Sequence, residues 1–461
     1  MNLHELSIAQ LTRLLEGKKT SPEEIYTSFL TRIKEINPKI NAYLTVINKP
    51  ELDYSMRDKP LFGIPYSMKD TYNTKGIRTT AAAKVLDNYI SPYDATAYTK
   101  LKKAGAVLIG KTNCDAWGHG SSTENSDFGP TKNPWNRDYV PGGSSGGSAA
   151  SLAADLCSFS IGEDTGGSIR LPASFCSVVG LKPTYGLVSR YGCIAYASSL
   201  DTVGPMARSV EDTALVLEVL AGADSCDATT SQSKPPRYSQ FLGRKIAGLK
   251  MGIPKEYFMK GMDDTVASTI AKAMKDLQKL GVEPVEISLP MTEYAISTYY
   301  LIAPSETSSN LARYDGIRFG TTRRSFGAEA KRRIMLGTFT LSHGYYDAYY
   351  KKATKVRTLI KNDFENAFKA VDFIIAPASP TPPFKLGEKV DDPLKMYLSD
   401  IYLVSVNLAG VPALSVPCGF TGNKLPISFQ LIGRHFDETT LLNIGYQYEQ
   451  VHGIYERPRI K

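Results

Sequence analysis

Residues 142–148 consist only of glycine and serine, and a second cluster, Gly166–Gly167–Ser168, follows after a largely apolar stretch. A serine hydroxyl becomes a nucleophile when a neighbouring base removes its proton. Successive glycines let several backbone N–H groups face one concavity, because no Cβ blocks a close approach. The two clusters therefore form either a flexible spacer or the two halves of an acyl-transfer site.

A lysine upstream of both clusters can supply the base. Lys69 ends the apolar segment LFGIPYSMK, and burial at that position disfavours the charged ammonium. A neutral amine can accept a proton from a serine hydroxyl. An alternative stays open, in which Lys69 remains charged and pairs with Asp70 or Asp164.

Ser168 is the candidate nucleophile, because it follows two glycines and precedes a predicted helix. Backbone N–H groups beside it could bind the oxyanion that forms during attack. These N–H groups belong to Thr165, Gly166, Gly167 and Ser168. A serine of the first cluster could pass the proton from Ser168 to Lys69, and the chemistry does not choose among Ser144, Ser145 and Ser148.

Three apolar segments that end in polar residues are predicted to be the strands that position these groups: residues 61–70, 105–113 and 156–164. Helical segments are predicted between them. The alternation predicts an α/β fold with a large, parallel or mixed central sheet and helices on both faces. Reactive groups in such sheets lie on loops beyond the strand ends, so we expect the three loops to share one edge.

The 461 residues are expected to form a single domain, since no internal repeat is present. N-terminal helices are predicted within about residues 1–60, two of them in the first forty residues, and one of these two begins with a cap formed by Ser21, Pro22 and Glu24. A catalytic core is expected at about 61–222, a polar loop at about 223–243, and a C-terminal half at about 244–461 that completes the sheet and the substrate pocket.

Composition excludes several classes of protein. The net charge of +8 is scattered rather than gathered in a basic stripe, which disfavours a nucleic-acid groove on this chain. No apolar run approaches the roughly 18 residues of a membrane span, and the N-terminal residues lack a signal-peptide pattern. Six dispersed cysteines and five dispersed histidines predict neither disulfides nor a metal site, so we expect a cytoplasmic protein.

Two short motifs suggest other chemistry. GAVLIGKT at 105–112 matches the Walker A pattern, but its apolar centre favours a buried strand over a phosphate-binding loop. GGSSG at 142–146 matches a nucleophile elbow, but a polar segment ending in Pro141 precedes it instead of a strand. A triad completed by His343, His435 or His452 remains an alternative.

The segments GGSSGGSAA and GEDTGGSIRLPASFCSVVGLKPTYG resemble the signature of the amidase-signature family. Members of that family use a Ser–cis-Ser–Lys triad on a mixed sheet flanked by helices. The resemblance implies that Lys69 is the base, that Ser144 is the bridging serine after a cis peptide bond, and that Ser168 is the acylated nucleophile.

Further segments, among them SSTENSDFGPTKNPWN and VNLAGVPALSVPCGF, are similar to one branch of that family, the A subunits of aspartyl/glutamyl-tRNA amidotransferases. This resemblance implies glutamine hydrolysis and transfer of ammonia to a B subunit. That subunit would bind misacylated tRNA, ATP and magnesium and convert Glu-tRNA(Gln) or Asp-tRNA(Asn), while a C subunit completes a heterotrimer. No cofactor is expected in this chain. The alternative is a stand-alone amidase that acts on another amide.

Glutamine is a zwitterion, so its site needs a cation for the carboxylate and an anion for the ammonium group. The resemblance places these roles on Arg333 and Asp400, with Tyr299 and Tyr196 lining the pocket.

The chain also departs from the branch's usual sequence in two segments. One is a short segment at 321–325, and the other contains Cys114, Ala116, Trp117 and His119. Of these residues, His119 lies in a glycine-rich loop and could either contact a ligand or be an ordinary loop histidine.

Overall fold

The computed structural model describes residues 2–258, 261–317, 320–453 and 456–460. Within these ranges eleven strands form one mixed sheet, in the order β1-β3-β2-β4-β6-β5-β10-β11-β9-β7-β8. The strands are β1 (Tyr43–Val46), β2 (Pro65–Lys69), β3 (Val107–Thr112), β4 (Phe159–Asp164), β5 (Val179–Lys182), β6 (Thr202–Ala207), β7 (Lys250–Pro254), β8 (Glu283–Ile287), β9 (Phe373–Pro377), β10 (Ala413–Phe420) and β11 (Pro426–Ile432).

Thirteen α-helices accompany the sheet in the same described ranges. They are α1 (Ile8–Glu16), α2 (Pro22–Ile40), α3 (Thr96–Lys103), α4 (Gly146–Ala153), α5 (Arg170–Cys176), α6 (Val210–Leu220), α7 (Asp264–Lys279), α8 (Ala295–Asn310), α9 (Ala328–Thr340), α10 (Lys352–Ala367), α11 (Pro393–Tyr397), α12 (Val404–Ala409) and α13 (Glu438–His452). The predicted α/β class with a mixed sheet is confirmed.

The three predicted strands of the first half are β2, β3 and β4. β2 pairs in parallel with β3 on one side and with β4 on the other. Every residue of the three strands is buried. Successive side chains of a strand point to opposite faces, so both faces of this part of the sheet are covered. The carboxyl ends of the three strands meet at one edge, as expected.

The N-terminal helices pack on the same core. The predicted capping box at the start of α2 is present, since the side chain of Ser21 accepts from the backbone N–H of Glu24 and the Glu24 side chain accepts from Ser21. The helix then buries one apolar face through Ile25, Phe29 and Ile33. This arrangement follows from the four-residue spacing of the three side chains.

Strands from both halves of the chain share the sheet, because β10 pairs with β5. After residue 243 the chain continues as a strand–helix–strand unit, formed by β7, α7 and β8. The polar segment 223–243 holds one 3₁₀ turn, at Tyr238–Phe241. No helix among the described residues is long and apolar enough to cross a bilayer.

Candidate active site

Lys69 is the last residue of β2 and is fully buried. Its Nζ atom lies 2.8 Å from Oγ of Ser144. Its acidic neighbour is neither of the two that the sequence offered, because Asp70 pairs with Lys111 at 3.4 Å and Asp164 pairs with Arg170 at 3.1 Å. The carboxylate beside Lys69 is that of Glu163, at 3.5 Å.

The contact with Lys69 distinguishes Ser144 from the other serines of its cluster. The hydroxyl of Ser145 donates to the carbonyl oxygen of Glu163 at 3.1 Å, and Oγ of Ser148 lies 2.8 Å from Oγ1 of Thr112. The peptide bond between Gly143 and Ser144 is cis, as the resemblance implied. The choice of Ser144, which residue chemistry left open, agrees with this geometry.

The first glycine–serine cluster is not a spacer. All of residues 142–148 are buried, and α4 begins inside the cluster at Gly146. A Cβ atom at Gly143 would lie 2.2 Å from Oδ2 of Asp115 and 2.8 Å from the backbone nitrogen of Thr123. Glycine is present here because the backbone passes close to its neighbours, and the cluster is fixed in place.

Ser168 follows β4 and precedes α5, and it retains 9% exposure, compared with 1% for Ser144. The backbone N–H of Ser145 donates to the carbonyl oxygen of Ser168 at 3.1 Å, which joins the two clusters directly. The preceding residue, Gly167, has a φ of 127°, a value that other residues rarely adopt. Ser168 is therefore more accessible than Lys69 and Ser144, and its loop is joined to the cluster that contains Ser144.

One of the four N–H groups expected to bind the oxyanion is engaged elsewhere. The N–H of Gly167 donates to Oδ1 of Asp164 at 2.8 Å, because the carboxylate at the end of β4 accepts from the turn that follows it. Gly167 is therefore removed from the set. The N–H groups of Thr165, Gly166 and Ser168 remain the predicted oxyanion donors.

Asp164 and Arg170 fix the loop that carries Ser168, a role that the sequence did not indicate for either residue. Arg170 is fully buried and donates through Nε and Nη2 to the two oxygens of Asp164, each at 3.1 Å. Burial alone would raise the pKa of Asp164, but Arg170 lowers it to about 2. Arg170 also donates to Gln430 at 2.8 Å and to Asn407, which ties the loop to the C-terminal half. The sequence does carry one sign of this ion pair, because the opposite charges of Asp164 and Arg170 flank the glycine loop within an apolar segment.

Arg333 reaches the site from α9 and is buried. It donates through Nε to Oε1 of Glu329 at 2.8 Å, through Nη2 to the carbonyl oxygen of Gly120 at 3.0 Å, and through Nη1 to the hydroxyl of Tyr196. The rings of Tyr196 and Tyr300 each lie 5.5 Å from its guanidinium carbon, within the range of cation–π attraction. The sequence did not reveal Glu329, although it precedes Arg333 by four residues on a helix.

Tyr299 and Tyr196 link Arg333 to the catalytic loop. The hydroxyl of Tyr299 donates to that of Tyr196 at 3.3 Å. A Cβ atom at Gly166 would lie 2.6 Å from the hydroxyl oxygen of Tyr299, so the glycine permits this contact. The structure thus brings together the loop of Ser168, both predicted tyrosines and the predicted cation.

Asp400 is also buried and accepts a hydrogen bond from the hydroxyl of Ser121. Burial raises the pKa of Asp400 to about 7, although Ser121 and Arg333 both oppose the rise. Ser121 follows Gly120, whose carbonyl oxygen accepts from Arg333. One short segment therefore contacts both the predicted cation and the predicted anion.

His119 lies on the same segment and is fully buried. Its ring packs edge-on against Tyr196, with the ring centroids 4.8 Å apart, and neither ring nitrogen has a hydrogen-bond partner within the described residues. Burial lowers the pKa of His119 well below its ordinary value, and Arg333 and Lys69 add to the effect. The imidazole is therefore neutral and lines the pocket beside a predicted substrate-binding residue.

The other departures have different surroundings. The buried thiol of Cys114 lies close enough to Lys69 for the two groups to interact electrostatically. Trp117 packs against the rings of Tyr314 and Phe326. Within the short segment 321–325, residues Arg323–Ser325 form a 3₁₀ turn. Trp117 and the segment 321–325 both belong to the structure that surrounds α9.

The alternative motifs do not describe this site. The Walker-like segment is the buried strand β3, and Lys111 donates to the carbonyl oxygen of Tyr72 at 2.6 Å. Two of the histidines considered for a triad contact other groups: His435 lies 3.1 Å from the carbonyl oxygen of Ala409, and His452 pairs with Asp276 at 3.2 Å. His343 is solvent-exposed. Over the described part of the chain, no three His, Cys, Asp or Glu side chains are grouped to hold a metal ion.

Comparison with known proteins shows that the chain is similar to amidases along nearly its whole length. The sequence profile of the amidase family matches residues 24–442. The chain is 53% identical over 473 residues to the glutamyl-tRNA(Gln) amidotransferase A subunit of Thermodesulfovibrio yellowstonii, with 98% of each chain covered. It is 54% identical over 477 residues to the protein of that name from Carboxydothermus hydrogenoformans, again with 98% of each covered.

The fold agrees with these sequence relationships. The crystal structure of the glutamyl-tRNA(Gln) amidotransferase A subunit from Thermotoga maritima superposes with a TM-score of 0.88 at 41% identity, and the match covers 100% of this chain and 99% of that one. The chain therefore belongs to the amidase family, within the group that contains the A subunits of glutamyl-tRNA(Gln) amidotransferases.

Proposed function

We propose that this chain is the glutaminase subunit of a tRNA-dependent amidotransferase, with Lys69, Ser144 and Ser168 as its catalytic triad. The observation that carries the proposal is the 2.8 Å contact between Nζ of Lys69 and Oγ of Ser144, buried beneath the loop of Ser168. A buried cation, Arg333, and a buried acid, Asp400, lie close enough to interact electrostatically, and Tyr196 and Tyr299 link Arg333 to the catalytic loop. These are the two charges that a free amino acid requires.

In the acylation step, the neutral amine of Lys69 accepts the proton of Ser144, whose oxygen accepts the proton of Ser168. Oγ of Ser168 attacks the side-chain amide carbon of glutamine, and the carbonyl electrons move to the oxygen. The N–H groups of Thr165, Gly166 and Ser168 stabilise that oxyanion. The C–N bond then breaks as the nitrogen takes a proton from Ser144, which regains one from Lys69, and ammonia leaves.

The resulting ester on Ser168 is hydrolysed by the same route in reverse. Ser144 and Lys69 accept a proton from water, the hydroxide attacks the ester carbon, and the proton returns to Oγ of Ser168. The products of the full cycle are glutamate and ammonia. Neither step requires a metal or an organic cofactor in this chain.

Recognition of glutamine follows from the pocket charges. Arg333 donates to the α-carboxylate, and Asp400 accepts from the α-ammonium group once it is ionised. Tyr299 and Tyr196 line the space between these groups and the catalytic loop. Because both charged residues are buried, they favour a zwitterion over a neutral amide.

We further propose that the chain works in a heterotrimer. A B subunit would bind misacylated tRNA, ATP and magnesium and use the ammonia to amidate Glu-tRNA(Gln), or Asp-tRNA(Asn), while a C subunit joins the other two. The subunit name of the relatives supports this assembly. We place the complex in the cytoplasm, a setting in which six free thiols are stable.

The test is ammonia release from glutamine, measured for the chain alone and then with B and C subunits and Glu-tRNA(Gln). We expect strong stimulation by the partners, and no release from Ser168→Ala under either condition. Equal hydrolysis of glutamine and unrelated amides by the isolated chain, without stimulation, would instead identify a stand-alone amidase.

A further inference from the structure

Glu163 is the carboxylate that contacts the amine of Lys69. It is 1% exposed, and its carboxylate approaches Nζ of Lys69 to 3.5 Å while Ser144 approaches the same atom to 2.8 Å. Neither carboxylate oxygen accepts a hydrogen bond of ordinary geometry from the described residues. The amine of Lys69 is therefore placed between an acid and the bridging serine.

This placement follows from the sheet. β2 and β4 are parallel neighbours, with Met68 aligned with Ile161, so Lys69 and Glu163 lie close together near the ends of the two strands. The hydroxyl of Ser145 also donates to the carbonyl oxygen of Glu163 at 3.1 Å. The backbone of Glu163 is thus tied to the cluster that contains Ser144.

Few groups are available to neutralise a charge on Glu163. The titratable or polar groups around it are Lys69, Thr71, Tyr72, Cys114, Cys193 and Asp201. Burial raises the pKa of Glu163 and Asp201 adds to the rise, while Lys69 and weaker interactions with the side chains of Cys193 and Thr71 oppose it. A carboxyl group in this environment can hold a proton near neutral pH, where an isolated surface glutamate does not.

Glu163 also lines a polar cavity of about 400 Å³ whose lining residues include neither Ser144 nor Ser168. Arg190, Asp201, Asp227 and Arg313 contribute charged side chains to its wall. Glu163 therefore borders this cavity as well as contacting Lys69.

We propose that Glu163 is a positioning residue that holds the amine of Lys69 against Ser144 and takes up its proton, a role that rests on the proposed glutaminase reaction. The ammonium of Lys69 transfers one proton to the carboxylate of Glu163, which yields a neutral amine and a carboxylic acid. The amine then accepts the proton of Ser144 as Ser168 attacks. It returns that proton when ammonia leaves, so no proton is gained or lost over the cycle.

This arrangement has a kinetic signature. While the pair holds one proton in total, the fraction of molecules with that proton on Glu163 does not change with pH. The rate of attack by Ser168 is then level across neutral pH. With Glu163→Gln the proton can leave Lys69 only to solvent, so the rate rises with pH by up to about tenfold per pH unit.

The experiment measures two rates for the three-subunit complex between about pH 6.5 and 8.5. One is kcat for glutamine hydrolysis, and the other is the labelling of Ser168 by a fluorophosphonate, with Ser168→Ala as the blank. We expect level profiles for the wild type. For Glu163→Gln we expect rates at pH 7 reduced by about tenfold or more, a rising profile and a KM for glutamine within about twofold of the wild type. Glu163→Asp keeps the acid and should restore the level profile at a lower rate.

The outcomes separate the two proposals. A level profile at wild-type rate in Glu163→Gln, or a wild-type profile that itself climbs tenfold per pH unit through neutrality, overturns the role of Glu163. The second result is measured on the wild type alone, so it tests the role of Glu163 even if a variant fails to fold. If Ser168 is labelled as expected but glutamine is not hydrolysed under any condition, the role of Glu163 stands and the glutaminase assignment fails.

Discussion

Arg333 and Glu329 form an ion pair one turn apart on α9, with Nε of the arginine 2.8 Å from Oε1 of the glutamate. The exposed fractions of the two side chains are 2% and 11%. Arg333, the cation predicted to bind the substrate carboxylate, is therefore held in a fixed orientation by Glu329. The pair leaves the outer guanidinium nitrogens directed towards Gly120 and Tyr196, at the wall of the pocket.

Replacement of Arg333 should weaken glutamine binding more than it slows the chemistry. A hydrogen bond to a charged group contributes about 1.5–3 kcal/mol, so Arg333→Ala should raise KM by roughly 10- to 100-fold. Arg332→Ala is the matched control, because Arg332 pairs with the same Glu329 but is 47% exposed. Steady-state glutaminase kinetics with an unchanged KM in Arg333→Ala would contradict the assignment.

The triad predicts that Ser144 and Ser168 are needed for activity, whereas Ser148, in the same cluster as Ser144, is not. Ser168→Ala removes the nucleophile and Ser144→Ala removes the proton relay, so each should lower kcat by about 10³-fold or more. Ser148→Ala serves as the control, since that hydroxyl contacts Thr112 and not Lys69. Full activity in Ser144→Ala would show that Lys69 acts through another group.

The strands that position the site could be predicted because each is an apolar run that ends in polar residues. β2, β3 and β4 all lie where the sequence places them, and the capping box of α2 marks its first turn. Residue types also indicated a Ser/Lys acyl-transfer site. They did not choose Ser144, because three serines in one cluster are chemically equivalent until the position of Lys69 is known.

The charged partners could not be predicted in the same way. Asp70, Glu163 and Asp164 are all near Lys69 in the sequence or in the sheet, and only strand register and side-chain direction decide which one faces the amine. Arg170 is a second example, since its hydrogen bond to Gln430 joins residues 260 positions apart. Such contacts depend on the closure of the whole sheet, and no local pattern carries that information.

Glutamine binding should depend on pH through Asp400. Burial raises the pKa of Asp400 to about 7, so the carboxyl group is neutral below that pH and anionic above it. The anion binds the substrate ammonium, so KM should rise by up to about tenfold per pH unit as the pH falls below 7. Asp400→Asn should show a high KM without this dependence, and KM measured between about pH 6 and 8 provides the check.

If Asp400→Asn kept the wild-type dependence of KM on pH, a group other than Asp400 would be responsible for that dependence. His119 is the nearby group to exclude. Burial holds its pKa well below the ordinary value, so it stays neutral over this range. His119→Asn should therefore leave the position of the KM transition unchanged.

Arg170 should contribute strongly to stability. Arg170→Met leaves Asp164 buried without its cation, and breaking a buried pair in this way costs about 3–5 kcal/mol. Lys395→Met removes an exposed ion pair with Asp392 and should cost less than about 1 kcal/mol. Urea unfolding of both variants measures the difference, and equal free energies of unfolding would contradict the role of Arg170.

The pH dependence of the same pair has a defined sign. The pKa of Asp164 is about 2 in the folded protein, below its ordinary value of 3.8. Its contribution to stability is therefore complete above the ordinary value and is lost as the pH falls towards 2. Arg170→Met should lose this part of the acid sensitivity, which unfolding at pH 3 and pH 6 would reveal.

Gly143→Ala should disrupt the site without removing any functional group. The new Cβ atom would lie 2.2 Å from Oδ2 of Asp115, a carboxylate that is held by the backbone N–H of Thr123 at 2.9 Å and that of Asn125 at 3.1 Å. Overpacking of this kind costs about 1–3 kcal/mol, and a shift of the backbone would move Ser144 away from Lys69. We expect a lower melting temperature and a loss of kcat.

Gly422→Ala is the control, because nothing lies within 4 Å of its Cβ position, and it should leave both quantities unchanged. Wild-type activity in Gly143→Ala would mean that the cluster can move, as a flexible spacer would.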